Sequence, residues 1–301
     1  MFRLYYFVLF FICSSTAIAV CQHQRVQVQV LGSGGPELSD GRASSSYLVW
    51  LDNKGIVLID TGSGSSLNYE KSGAKLVDLQ LIAFTHFHVD HSADFPAFIK
   101  ASYFTERTQS LLVFGPEGNQ LMPSASKFTD KLFGSNGAFP YLSDYLNKEA
   151  DSPFKIVTKN IALTKRSPKT VYTNNAISLQ AIPVHHGPIP ALAWRVELAG
   201  CAISFSGDMS NRYQTLAKLA QQADILIAHN AIPEAMQGAG RALHMPPSEI
   251  AQIARQAGVK KLVLSHRMRR TLGKEQETSR IIKQQYQGSL VFANDMDVFV
   301  P

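Results

Sequence analysis

The stretch LIAFTHFHVDHSAD, residues 81 to 94, joins a short apolar run to a burst of metal-binding side chains. Leu81 to Phe84 has the length and composition of a buried strand. It delivers His86, His88, Asp90 and His91 within six residues. Neutral imidazole and carboxylate are the donors that zinc and similar divalent ions take, and a short loop aims several of them inward at once. His86 and His88 stand two apart, so in extended backbone they share a face. Asp90 and His91 are adjacent and diverge unless the chain turns there. The simplest arrangement that uses all four is two neighbouring ions, with His86 and His88 on one and Asp90 and His91 on the other. The competing reading is a polar loop that happens to be rich in histidine.

The same placement recurs downstream. Ile177 to Val184 runs into His185-His186-Gly187-Pro188, and Ala202 to Phe205 into Ser206-Gly207-Asp208. Ile225 to Ala228 leads to His229-Asn230, and Leu262 to Leu264 to Ser265-His266. Any one of these is an ordinary turn residue. Four apolar strands finishing on His or Asp is how an open α/β sheet collects a site along one edge. Upstream, Gly55 to Asp60 ends in a carboxylate that either orients a ligand histidine or caps the next turn.

Around these strands the chain alternates strands and helices. Val26, Val28 and Val30 alternate with Gln27 and Gln29, which marks a strand with one exposed face, stopped by Gly32-Ser33-Gly34-Gly35-Pro36. That glycine run lacks the Lys-Ser/Thr of a phosphate loop and reads as a tight turn. Ser44 to Leu51 and Gly55 to Asp60 form a hairpin across Asp52-Asn53-Lys54-Gly55. Phe95 to Tyr103 reads as a helix, Leu111 to Phe114 as a strand, and Gly118 to Phe133 as a helix. Beyond it, residues to about 170 are rich in Gly, Ser, Asn and Pro, so 117–170 reads as a flexible cap or substrate-binding insertion. Phe128, Phe133, Phe139, Tyr141 and Tyr145 either line a pocket there or form the insertion's own core.

Residues 1–19 read as an export signal: Arg3 gives a positive start, Leu4 to Ile12 is apolar, and Ala17-Ile18-Ala19 is a small-x-small cleavage pattern. No later stretch is long and apolar enough to span a membrane. A mature chain of about 280 residues suits one sizeable α/β domain. Its hydrophobic content of 45% and charged content of 17% allow a large core, and losing Arg3 lowers the formal charge of +6 by one. A modest positive charge favours anionic substrates. Cleavage also removes Cys13, leaving Cys21 in an expected tail and Cys201 at a strand start, a placement that argues against a structural disulfide. Val20 is too large for the residue that precedes a lipidated cysteine, so Cys21 is not expected to carry a lipid.

THFHVDH at 85–91, the histidine before Gly187, SGD at 206–208 and SH at 265–266, in that order, resemble the metallo-β-lactamase superfamily of binuclear metallohydrolases. LGSGGP at 31–36 and HMPPSEIAQIA at 244–254 look like its ribonuclease Z and phosphodiesterase/arylsulfatase branch. The resemblance implies an α/β fold, a four-layer αββα sandwich. It implies that His86, His88 and His186 hold one ion, that Asp90, His91 and His266 hold the other, and that Asp208 bridges them. His186 is preferred to His185 because it directly precedes Gly187. A bridging carboxylate is like the phosphoesterases and unlike the antibiotic-hydrolysing lactamases. The cofactors expected are two divalent ions, Zn²⁺ by default, with Mn²⁺ or Fe accepting the same donors.

Two such ions, roughly 3.5 to 4 Å apart, convert a shared water into a nucleophile. Asp90 is expected to orient it as well as to bind metal, and His244, opening a Pro-Pro helix start, to assist the leaving oxygen. Ribonuclease Z-like enzymes carry an acidic residue where Asn230 stands, paired with the histidine matching His244; Asn orients an imidazole but cannot stabilise its cation by charge. With export from the cytoplasm, this points away from precursor tRNA. The expected function is a periplasmic or secreted phosphodiesterase acting on a small anionic ester, a cyclic or small nucleotide among the candidates, with no stable nucleic-acid complex and a homodimer suggested by the family. An arylsulfatase, a lactonase or other carboxylic-ester hydrolase, and a non-catalytic binding protein of the same fold are the alternatives.

Overall fold

The computed structural model describes residues 20–301; the segment read as an export signal, with its cleavage site, lies outside the described residues. The first half runs β1 (Val26–Gly32), β2 (Ser46–Leu51), β3 (Lys54–Ile59), α1 (Ser65–Lys71), β4 (Leu81–Ala83), α2 (Val89–Ser92), α3 (Phe95–Ser102), β5 (Leu111–Pro116), α4 (Ala125–Phe133) and β6 (Ile156–Ile161). The second half runs β7 (Lys169–Thr173), β8 (Ser178–His186), β9 (Ile189–Leu198), β10 (Cys201–Phe205), α5 (Leu216–Leu219), β11 (Ile225–His229), α6 (Gly238–Leu243), α7 (Pro247–Ala257), β12 (Lys261–Ser265), α8 (Glu275–Lys283), β13 (Ser289–Phe292) and β14 (Val298–Phe299).

The strands form two seven-stranded mixed sheets, ordered β14-β1-β2-β3-β4-β5-β6 and β13-β12-β11-β10-β9-β8-β7. Strand alternation explains the layers. Val26, Val28 and Val30 turn one way and meet Trp194, Val196 and Ile203 of the other sheet in the central core. Leu48, Leu58 and Ile82 turn the other way, under Tyr69 of α1 and Phe95 and Phe98 of α3. Outside the second sheet, Leu226 and Leu264 pack against Ile250 and Ala254 of α7 and Ile282 of α8. The result is the αββα sandwich, in which each apolar sheet face is buried and each helix buries one stripe.

Two bonds cross the sandwich at the edge that carries the histidines. Trp194 Nε1–H donates to the Phe84 carbonyl at 3.0 Å, and the Leu192 N–H donates to the Thr85 carbonyl at 2.9 Å. Both tie β9 to the loop that follows β4. β9 itself was not anticipated, although Leu192, Trp194, Val196 and Leu198 alternate with Ala193, Arg195 and Glu197 and face the central core.

The segment 117–170 differs from the flexible cap expected beyond Phe133. It supplies α4, β6 and the start of β7, so it finishes one edge of both sheets. Its Gly, Ser, Asn and Pro residues lie largely in the turns between those elements. Phe133 and Tyr145 are buried, Phe128 and Phe139 pack beside them, and Tyr141 is exposed, so most of these aromatics form core. The helix begins at Ala125 rather than Gly118, because Ser124 Oγ accepts the Lys127 N–H and caps it there.

Cys21 and Cys201 are joined in a disulfide, contrary to the sequence expectation. Spacing along the chain carries no information about such a pair. The Gln22 N–H donates to the Ala199 carbonyl at 3.0 Å, so the residues ahead of β1 fold back onto the β9–β10 turn. The bond also occupies the sulfur that a lipid anchor would need. The cross-link spans 180 residues. Cys201→Ser should therefore lower unfolding free energy in non-reducing urea by about 4–5 kcal/mol; equal midpoints for the variant and the oxidised wild type would show that the bond adds no stability.

Candidate metal centre

The ends of β4, β8, β10, β11 and β12 converge between the two sheets. After β4 the backbone stays extended through His88, so His86 and His88 face inward while Phe87 turns out and stacks on Phe128 of α4 at 4.5 Å. The single turn of α2 then brings Asp90 and His91 back toward the same point, which resolves the divergence expected of neighbours. Gly207 has φ +58°, and a Cβ there would lie 2.8 Å from Thr85, so only glycine lets the SGD turn press against the histidine loop.

The ligand-capable atoms of His86, His88 and His186 lie within 4.8 Å of one another, as do those of His91, Asp208, His229 and His266, and of His186, Asp208 and His244. Asp208 belongs to two of these groups. Its Oδ2 lies 3.7 Å from His91 Nε2 and 3.8 Å from His186 Nε2. Its Oδ1 lies 3.4 Å from His266 Nε2. Asp90 Oδ2 stands 3.2 Å from His266 Nε2 and 3.6 Å from His91 Nε2. All seven residues expected as ligands thus face one small volume: His86, His88 and His186 form one group, while the group of His91, Asp208 and His266 takes in His229 and has Asp90 beside it. His185 turns away, its Nδ1 2.7 Å from Ser210 Oγ.

A second layer fixes these side chains. Asp60, fully buried, lies 2.8 Å from His91 Nδ1 and accepts from the Thr85 N–H at 2.7 Å and hydroxyl at 2.8 Å. Of its two sequence readings, the orienting one describes what it touches. His186 Nδ1 donates to the Leu243 carbonyl at 3.0 Å, which turns Nε2 inward. His266 sits against Gly35, where a Cβ would come within 2.9 Å of the ring, so the glycine run serves to admit this imidazole. Asp60 and His266 both have left-handed backbone, at φ 58° and 50°. Such conformations cost roughly 1–3 kcal/mol and persist where packing imposes them.

His229, left open by the sequence between pocket wall and core, has both nitrogens engaged. Nδ1 donates to Asp208 Oδ1 at 2.8 Å, and Nε2 lies 3.0 Å from the Tyr47 hydroxyl, itself 2.9 Å from Ser265 Oγ. Burial pushes the His229 pKa down to about 3, so the ring is neutral. The chain Ser265–Tyr47–His229–Asp208 was missed. Tyr47 lies in the apolar run of β2, and only its contacts reveal its task.

His244 stands at the mouth, 8% exposed, its Nδ1 3.9 Å from Asp208 Oδ2. Burial lowers its pKa to about 4, which leaves a neutral imidazole at pH 7. Asn230 does not orient it: its amide reaches the Ile232 carbonyl at 3.4 Å instead.

The donor set fits divalent cations. His86 Nε2 and His91 Nε2 are buried with no hydrogen-bond partner among the described residues, an expense that a bound ion removes. Burial pushes the His86 pKa well down, leaving a free lone pair. Burial also opposes the His91 cation, but Asp90 and Asp60 outweigh it and hold its pKa well above the ordinary value. His266 is raised as well, against burial, by Asp208 and Asp90. Burial would likewise raise Asp90 and Asp208, yet the imidazoles around them hold Asp90 at about 2 and Asp208 well below the carboxylate range.

Two face-to-face mixed sheets with His and Asp gathered at one edge define an αββα hydrolase that binds divalent metal. The chain matches the Metallo-beta-lactamase superfamily over residues 39–266 and belongs to it. A ribonuclease Z of Methanosarcina mazei is 24% identical over 276 residues, covering 80% of this chain and 87% of the relative. A ribonuclease Z of Mycobacterium sp. strain KMS is 28% identical over 255 residues, covering 80% and 84%. The crystal structure of human tRNase Z, short form (ELAC1), superposes with a TM-score of 0.70 at 21% identity, covering 91% of this chain and 99% of that one.

Tyr47→Phe removes the hydroxyl beside His229 and leaves a buried nitrogen without a partner; it should cost about 1–3 kcal/mol of stability and weaken metal binding roughly 10-fold or more. Unchanged metal affinity by competition with a chelating dye would remove Tyr47 from the support of Asp208. The upward shifts of His91 and His266 favour their protonated forms before loading. Metal binding at pH 7 should release about one to two protons, falling toward none as pH rises through those raised values. Titration calorimetry in buffers of different ionisation heat reads this directly, and no release at pH 7 would show both rings already neutral.

Proposed function

We propose that this chain is an exported, zinc-dependent phosphodiesterase acting on a small nucleotide or a similar anionic diester. The observation that carries the reading is Asp208, a carboxylate held where the two histidine groups meet. A paired-ion site of that kind suits a tetrahedral phosphoryl centre, whose charge spreads over several oxygens. Kinship with the ribonuclease Z relatives supports the phosphodiester bond as the target.

His86, His88 and His186 would hold one ion, Asp90, His91 and His266 the other, with Asp208 shared. When bound, the pair supplies Lewis acidity and a more acidic water. Asp90 would accept a hydrogen bond from the attacking water and so aim it. His229 keeps Asp208 from rotating, and Asp60 keeps His91 in the tautomer whose Nε2 faces the centre. His244, neutral at the mouth, would give a hydrogen bond to the leaving oxygen rather than act as a resident acid.

The disulfide supports export, since such bonds persist in oxidising compartments, and the leader-like residues 1–19 agree with it. Outside the cytoplasm, and without an acidic residue at Asn230, precursor tRNA is not the substrate we infer. The test compares turnover of bis(p-nitrophenyl) phosphate with p-nitrophenyl sulfate by the metal-loaded protein, with Asp208→Ala as control. Preference for the diester, reduced by a factor of about 10² or more in the control, is expected. Preference for the sulfate would replace the reading with a sulfatase, and silence on both at full metal occupancy would shift it to carboxylic esters.

A further inference from the structure

Beside the strand ends that deliver His186 and Asp208 to the metal centre lies a second cluster, built on His185, Ser210, Tyr213 and Arg166. His185 precedes His186 and points to the other side of β8, and Ser210, two residues after Asp208, accepts or donates at its Nδ1 at 2.7 Å while the Ser210 N–H donates to the His185 carbonyl at 2.8 Å. Tyr213 packs edge-on against the His185 ring at 5.2 Å, and the Arg166 guanidinium covers the Tyr213 ring at 3.7 Å. Arg212 directly precedes Tyr213 in the chain, and both Arg166 and Arg212 are exposed.

Arg25, Arg195, Arg241 and Arg267 each pair with a carboxylate. Lys165, Arg166, Lys169 and Arg212 make no salt bridge with any described residue. A guanidinium group without a carboxylate partner, such as that of Arg166 or Arg212, is open to an arriving anion. The Arg166 stack on Tyr213 preorganises its planar fork for a phosphate. A cleft of about 150 Å³ opens beside it, lined by Tyr213, Gly187, Pro188 and Asn119. Asn119 braces this lip, its side chain donating to the Pro188 carbonyl at 2.8 Å.

We propose that Arg166, Arg212, His185 and Tyr213 form an anion subsite that binds a second phosphate of the substrate. The inference rests on the phosphodiesterase reading and sharpens it: the preferred substrate carries at least one phosphate beyond the scissile one, as a short oligonucleotide does and a cyclic mononucleotide does not. Arg166 comes from the 162–168 segment, which gives the region expected to set specificity a definite task.

The experiment uses the metal-loaded protein and two chromogenic esters, thymidine 5′-(p-nitrophenyl phosphate) and the same ester extended at its 3′-hydroxyl by two thymidylates. In the Arg166→Glu/Arg212→Glu double variant, KM for the extended ester should rise about tenfold or more, while kcat and the KM for the short ester stay within about twofold. Equal KM changes for both esters, or none, would overturn the subsite. A binding measurement on the same proteins, with fluorescently labelled trithymidylate bearing a 5′-phosphate, separates this from the activity. Tighter binding by wild type than by the variant, with neither ester hydrolysed, would keep the subsite and discard the phosphodiesterase reading. Hydrolysis of both esters with no difference in trithymidylate binding would do the reverse. Retained short-ester turnover confirms that the variant is folded.

Discussion

The centre of this protein depends on burying the charge of Asp208. Its carboxylate is 3% exposed, at a depth where an isolated ion would cost several kcal/mol. Four imidazoles lie within 3.8 Å of its oxygens, and His244 is 0.1 Å farther. Only one of these, His229, is a fixed hydrogen-bond partner whose other nitrogen is also satisfied. The others turn toward the same small volume without completing one another, and the charge of metal ions is what such an arrangement lacks. The strained backbone at Asp60 and His266 and the close approaches at Gly35 and Gly207 follow from crowding so many donors at one sheet edge.

Much of this was legible because metal chemistry draws on a small alphabet. THFHVDH and the His or Asp at the ends of β8, β10 and β12 pointed to candidate ligands and to the edge on which they lie. The choice of His186 over His185 came from its place directly before Gly187, and the fold supplies its physical basis, since neighbours on a strand face opposite ways. The αββα layering was implied by the resemblance of those motifs to the metallo-β-lactamase superfamily, and the order of strands and helices agreed with it.

What escaped the sequence depends on contacts between distant residues. Tyr47 sits among apolar neighbours on β2, and nothing in its surroundings hints that its hydroxyl meets His229 182 residues away. Cys21 and Cys201 look unrelated until the β9–β10 turn brings them together. The segment 117–170 misleads for another reason: beyond α4 its turns are rich in the residues that signal loops, while the short β6 and β7 carry too few residues to show a period. The loss of an acid at Asn230 could be seen, but not that its amide would turn away from His244.

The bonds from β9 to the β4 loop also bear on how the chain acquires its shape during synthesis. The inner face of β1 to β5 is completed only by strands from the second half, Trp194 and Ile203 among them, and β1 finds its last neighbour in β14. A ribosome that has released the first hundred or so residues has therefore exposed a broad greasy surface with nothing to cover it. Contacts of such long sequence separation form slowly and leave nascent chains prone to aggregate. The architecture that makes the finished centre rigid thus makes the unfinished chain dependent on chaperones, and it favours release of the whole polypeptide before any of the sandwich closes.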